Sequence, residues 1–169
     1  MFPGRARPDV TAASAAGAAH AAAGHFRRSL DGLTLSSLGI GTYLGNSDDR
    51  TDAVVAAAAA SCLRSGLNVL DSAINYRCQR GERSLGRMFD KLIPAGAVRR
   101  EAVFVSTKAG YVPYDGARPA DPAGYIRDTY IRTGIAKAEE FVGGSQCIAP
   151  GYLREIGRAS CRERVYVLV

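Results

Sequence analysis

Three short apolar runs, residues 38–42, 67–70 and 102–106, are separated by two segments whose apolar residues recur at helical spacing. Strands that alternate with helices of this length are joined by crossovers, which make neighbouring strands parallel and the connection right-handed. The spacing predicts a first helix over residues 49–65. Val54, Val55, Ala58, Cys62 and Leu63 form its stripe, a polar stretch over 46–50 caps it, and Gly66 sits where a left-handed residue would stop it. A second helix is predicted over 81–93, with Leu85, Met88, Phe89 and Leu92 on one face and Pro94 beyond its end. The fold class is therefore α/β.

Two flanking regions extend this frame. Upstream, residues 25–30 and 33–35 surround Asp31-Gly32, a dipeptide that favours a β-hairpin closed by a type I′ turn. Downstream of Lys108, residues 109–120 form an excursion rich in Gly, Pro and Tyr, long enough to be a functional loop. Asp121-Pro122 then supplies the cap and first residue of a helix running to about Arg132. Residues 1–24 are Ala-rich and read as a disordered tail outside the fold. Asp9 and the lack of a Leu/Val stretch set them apart from an export signal.

Composition removes several function classes. The net charge of +6 is not gathered on a periodic face, and Arg27-Arg28 and Arg99-Arg100 are isolated pairs without aromatic interleaving, so no nucleic-acid partner is expected. No apolar run approaches the roughly 18 residues of a membrane span. Cys62, Cys78, Cys147 and Cys161 show no CxxC pair and no histidine at metal-ligand spacing, which suits reduced thiols in a cytoplasmic protein. Cys78 reads as a bystander and Cys147 as a small core residue.

The chemistry-bearing residues fall at one edge. Gly41, Thr42 and Tyr43 follow the first strand, Asp71 ends the second with Tyr76 five places on, and Lys108 follows the third. Parallel α/β folds gather their active sites at the carboxyl ends of the strands. A phenol is a weak acid near neutrality, but an adjacent ammonium stabilises its phenolate, and Asp71 is placed to orient Lys108. Blander readings stand beside this one: Asp71 as a turn cap, Tyr76 and Lys108 as surface residues, Glu82 and Arg83 as a solvated helix start. Lys108 alone also suits a Schiff-base aldolase. Gly39, Gly41 and Gly45 are spaced GxGxxxG, which departs from the dinucleotide-binding GxGxxG.

Four strings in register, Leu38-Gly39-Ile40-Gly41-Thr42-Tyr43, Asn68-Val69-Leu70-Asp71-Ser72-Ala73 with Tyr76, Gly81-Glu82-Arg83-Ser84-Leu85-Gly86 and Val105-Ser106-Thr107-Lys108-Ala109-Gly110, resemble the aldo/keto reductases. The match runs from about Phe26 to Leu153. Gln146-Cys147-Ile148-Ala149-Pro150-Gly151-Tyr152-Leu153 is similar to a bacterial branch of that family. The resemblance implies a (β/α)8 barrel, of which residues 25–154 supply the first three units after the hairpin. It implies an oxidoreductase that reduces a small aldehyde or ketone with NADP(H) or NAD(H). Asp71, Tyr76 and Lys108 would be catalytic, and Gly41, Thr42, Tyr43 and Asp71 would line the cofactor. The family's further catalytic histidine, at the end of a fourth strand, has no counterpart here, since His20 and His25 both precede the first barrel strand.

Residues 155–165 read Glu-Ile-Gly-Arg-Ala-Ser-Cys-Arg-Glu-Arg-Val, a string that can be encoded by a common short-read sequencing adapter. Residues 155–169 are accordingly expected to be non-native. A (β/α)8 barrel typically takes about 250 residues. The chain is therefore expected to be an inactive front portion of a reductase, with open strand edges prone to aggregate; a non-catalytic, regulatory use of the fold is the alternative. Oligomeric state is not written in any of these features. Sequencing reads of the native locus are expected to diverge from this text near the codon for Arg154; native reads that run on through residue 165 would remove the adapter explanation.

Overall fold

The computed structural model describes residues 4–162. Its framework is a three-stranded parallel sheet in the order β3 (Ile40–Gly41), β4 (Val69–Asp71), β5 (Phe104–Ser106). The crossovers are helices α2 (Asp49–Arg64) and α3 (Arg80–Leu92). Asp48 caps α2 by accepting from the Thr51 N–H at 2.7 Å, so the polar stretch does what its composition suggests. Strand order follows chain order, as in the opening units of a barrel, and no closed barrel forms among the described residues.

An aliphatic core lies between helices and sheet. Leu70, Val103 and Val105 from the strand segments meet Ala59 from α2 and Leu85, Met88 and Phe89 from α3; the α3 residues are those marked by sequence periodicity, whereas α2 turns Ala59 inward and leaves Val54 of its expected stripe exposed. Gly39 is required by packing, because a Cβ there would stand 2.9 Å from the Val69 carbonyl oxygen. At the amino-terminal end of the sheet sits the hairpin β1 (Phe26–Arg28) and β2 (Thr34–Ser36). Buried Asn68 ties it to β4, accepting from the Ser36 N–H at 2.8 Å and donating to the Thr34 carbonyl at 2.9 Å.

Three expectations are corrected. The hairpin turn is not type I′: Gly32 has φ 80° but Asp31 is not left-handed, and the Gly32 N–H closes a four-residue turn on the Ser29 carbonyl. A turn followed by one left-handed glycine gives the same strand reversal as two left-handed residues. The stretch 1–24 is not wholly a disordered tail, because Pro8–Gly17 forms helix α1, with Val10 and Thr11 buried. The Thr11 hydroxyl accepts from the Thr34 N–H, and the Arg7 N–H donates to the Glu101 carbonyl. Glu82 is fully buried rather than solvated, accepting from the Thr107 and Ser160 hydroxyls.

Beyond Lys108 the excursion builds a lobe of its own. Asp121 caps helix α4 (Pro122–Ile126), accepting from the Gly124 N–H at 2.8 Å, and a π-helical stretch, Arg127–Ile131, continues it. A hairpin of β6 (Phe141–Val142) and β7 (Gln146–Cys147) returns to pair with residues 110–112. Helix α5 (Pro150–Arg162) closes the lobe. Its core is aromatic: the Tyr130 ring lies 5.1 Å from that of Tyr152, and Phe141 packs on both. Of the stretch expected to be non-native, residues 155–162 extend α5, with Ile156 buried, and residues 163–169 lie outside the described residues.

Asp52 on α2 is buried and faces three guanidinium groups, Arg77 at 2.5 Å, Arg87 at 2.8 Å and Arg80 at 3.1 Å. Burial raises its carboxyl pKa, but the hydrogen bonds and positive charge of these arginines outweigh it and hold the group below 3.8. A carboxylate depressed on folding stabilises the fold fully above its unfolded value and loses that contribution as pH falls through the folded one. Asp52→Asn is therefore expected to cost about 3 kcal/mol at neutral pH in urea unfolding. The deficit should shrink below about pH 4; a deficit constant down to acid pH would show that the charge is not what stabilises.

Candidate active site

β4 and β5 pair in parallel with Asp71 opposite Ser106. Side chains alternate along a strand, so a residue two places beyond Ser106 returns to the same side, and that residue is Lys108. Its Nζ lies 2.8 and 2.9 Å from the two Asp71 carboxylate oxygens, 2.9 Å from the Ser72 carbonyl and 3.1 Å from the Tyr76 hydroxyl. The three residues expected to converge are thus brought together at the carboxyl end of the sheet. No backbone N–H of its own turn reaches the Asp71 carboxylate among the described residues, so the turn-cap alternative is not what the geometry shows.

An ammonium has only protons to give, so the phenol oxygen accepts from Lys108. The phenol's own proton is left free to point elsewhere. Desolvation lowers the Lys108 pKa, but the hydrogen bonds and charges of Asp71 and Tyr76 outweigh it, and the ammonium is held above its ordinary value of 10.5. The Asp71 and Lys108 side chains remain 44% and 47% exposed, which leaves the cluster open to a ligand.

The remaining residues singled out in the sequence divide by depth. Gly41 and Tyr43 are exposed at the rim, and the Tyr43 ring packs edge-on against Tyr76 at 5.0 Å. Thr42 is fully buried: its hydroxyl shares a 2.8 Å hydrogen bond with that of Ser72, and its carbonyl receives the Arg77 Nε at 3.2 Å. It supports the rim from beneath. His20 and His25 lie at the opposite end of the sheet, beside the Ser65 carbonyl and the Ser37 hydroxyl. Cys147 is buried in the aromatic lobe, and no cluster of metal ligands occurs among the described residues.

Sequence reasoning missed two supports. Arg77 reads as a surface arginine in a polar stretch, and only its partners, distant in sequence, show it to be buried. Gly81 reads as a helix start; in the structure a Cβ there would stand 2.9 Å from the Thr42 hydroxyl and 3.1 Å from the Tyr76 Cβ. A groove of about 660 Å³ runs along α2 and α3 past Ala53, Ala56, Ala57 and Ala60, but Asp71, Tyr76 and Lys108 do not line it. The rim, where the polar groups converge, is the site with chemistry. No helix among the described residues is long and apolar enough to cross a membrane.

Gly81→Ala must displace either Thr42 or the Tyr76 backbone and is expected to destabilise the fold by about 1–3 kcal/mol. Urea unfolding checks this; a variant as stable as the parent would mean that the contact relaxes freely.

Comparison with known proteins gives a limited likeness. No family model matches the chain, and no curated protein matches it. A solved structure from Pseudomonas aeruginosa, assigned as an aldo-keto reductase, is 29% identical over 64% of this chain, with a TM-score of 0.37. The chain spans 40% of that protein's length.

Proposed function

We propose that the whole native protein containing this chain is an oxidoreductase of the aldo/keto reductase type, and that Asp71, Tyr76 and Lys108 are its proton-donating group. The observation that supports this reading is the Lys108 ammonium, bonded at once to the Asp71 carboxylate and the Tyr76 phenol oxygen.

Reduction of a carbonyl leaves an alkoxide that needs a proton. Tyr76 gives its proton to that oxygen, and the charge left on the phenol oxygen is met by the Lys108 ammonium 3.1 Å away. Asp71 holds the amine by both carboxylate oxygens and keeps it charged, so the charge that stabilises the phenolate is in place before the reaction. A nicotinamide cofactor, NADP(H) or NAD(H), supplies the hydride when bound. The residues fit such a group: the rim is open at Gly41, where a Cβ would meet nothing within 4 Å, and Tyr43 and Asp71 stand beside it. Thr42 would act on it only through the position it gives its neighbours.

A Schiff-base aldolase needs its lysine as the neutral amine. Here Asp71 and Tyr76 hold Lys108 in the charged form, which opposes that use.

In the whole native protein, Tyr76→Phe is expected to lower kcat for NADPH-dependent aldehyde reduction by about 10²–10⁴-fold with little change in KM. Lys108→Met should lose a comparable factor. Full kcat in Tyr76→Phe would sink the assignment of the proton donor, and the absence of any carbonyl-dependent NADPH oxidation in the parent would sink the function.

A further inference from the structure

The backbone that carries the Tyr76 phenol is unusual. Arg77, Cys78 and Gln79 have φ of 49°, 57° and 69°, and these three consecutive residues are the only ones other than glycine in the left-handed region among the described residues. A side chain disfavours this conformation, and a run of three persists only where the surroundings hold it. The turn leads directly from Tyr76 into α3.

Arg77 ties that turn to the elements around it. Its side chain is 2% exposed, and its guanidinium reaches three separate elements. Nη1 donates to Asp52 on α2 at 2.5 Å, Nη2 to the Ser84 hydroxyl on α3 at 3.2 Å, and Nε to the Thr42 carbonyl after β3 at 3.2 Å. The Cys78 carbonyl adds a bond from the Gly116 N–H at 2.9 Å. Charge balance does not explain Arg77, because Asp52 also meets Arg80 and Arg87. What Arg77 alone does is join the turn to Ser84 and Thr42. Thr42 precedes Tyr43, whose ring packs on Tyr76, so one guanidinium governs the place of both rings.

We propose that Arg77 is a positioning residue, which fixes the left-handed turn so that the Tyr76 phenol rests on the Lys108 ammonium. It touches no reactant and acts through Tyr76. The inference rests on the reading of Asp71, Tyr76 and Lys108 as a proton-donating group. The planar fork of an arginine serves three acceptors in three directions, and a lysine, a single point of charge on a flexible stem, cannot replace it.

The test uses the chain with ¹³C-labelled tyrosine rings. Loss of a resonance in Tyr76→Phe identifies Tyr76, and Lys108→Met shows where that resonance lies once the ammonium is gone. Arg77→Lys is expected to move the Tyr76 resonance at least halfway to the Lys108→Met position. In the whole native protein it should lower kcat by about tenfold or more while KM stays within about twofold. Ser84→Ala, which removes one anchor and keeps Asp52 paired, should move the resonance the same way by less.

A Tyr76 resonance that stays at its parental position in Arg77→Lys, with only a lower melting temperature, overturns the positioning role and leaves the site reading intact. If Arg77→Lys does not fold, an unmoved resonance in Ser84→Ala overturns it instead. Coincidence of the parental and Lys108→Met resonances removes the contact between amine and phenol, and the site reading falls together with the inference.

Discussion

The ion pair between Asp71 and Lys108 is the constraint on which the rest of the site depends, and it is a consequence of register. β4 and β5 are locked with Leu70 opposite Val105 and Asp71 opposite Ser106. Leu70 and Val105 are both buried in the aliphatic core, so a slip of one residue would turn apolar side chains out and polar ones in. The hydrophobic core thereby decides which atoms meet at the rim. Once Asp71 and Lys108 share a side, the lysine stem is long enough to return its amine to the carboxylate and still reach the Ser72 carbonyl and the Tyr76 oxygen.

The two cores set tyrosines to different uses. Burial foremost, with neighbouring groups added, pushes the phenols of Tyr130 and Tyr152 well above the ordinary tyrosine value, so they stay neutral and serve as packing in the lobe. Tyr76 stands half-buried at the rim with an ammonium on its oxygen and over its ring, at 4.8 Å from the centroid. The same side chain is a wedge in one place and a candidate acid in the other, and the difference lies in what surrounds the hydroxyl. Ile74 connects the two regions, since it sits between Asp71 and Tyr76 in the chain and is buried in the aromatic core.

What the sequence made legible was local. Apolar spacing placed α2, α3, β4 and β5 to within a few residues, and Asp48 and Asp121 marked helix starts through bonds to N–H groups three residues on. Asp71 and Lys108 stood out because each follows directly on an apolar strand. The failures share a cause. Glu82 looks solvated until Thr107 and Ser160, far along the chain, supply its donors, and α1 looks like a low-complexity tail until Thr34 bonds Thr11. The hairpin of the lobe has strands of two residues each, too short to carry a period. Interactions that join distant segments leave no periodic trace.

A polar scaffold lies directly beneath the candidate site. Thr42 and Ser72 share a buried hydrogen bond, Gly81 presses against Thr42, and Arg77 binds the Thr42 carbonyl from below. Such groups are costly to bury unless every partner is met, and when met they allow few alternative arrangements, whereas aliphatic side chains can repack with little loss. Proton donation needs an oxygen placed to within a fraction of a bond length of its target. A rim resting on directional bonds holds that position in a way that a rim resting on aliphatic contacts alone does not, and this accounts for a buried arginine immediately next to a half-buried phenol.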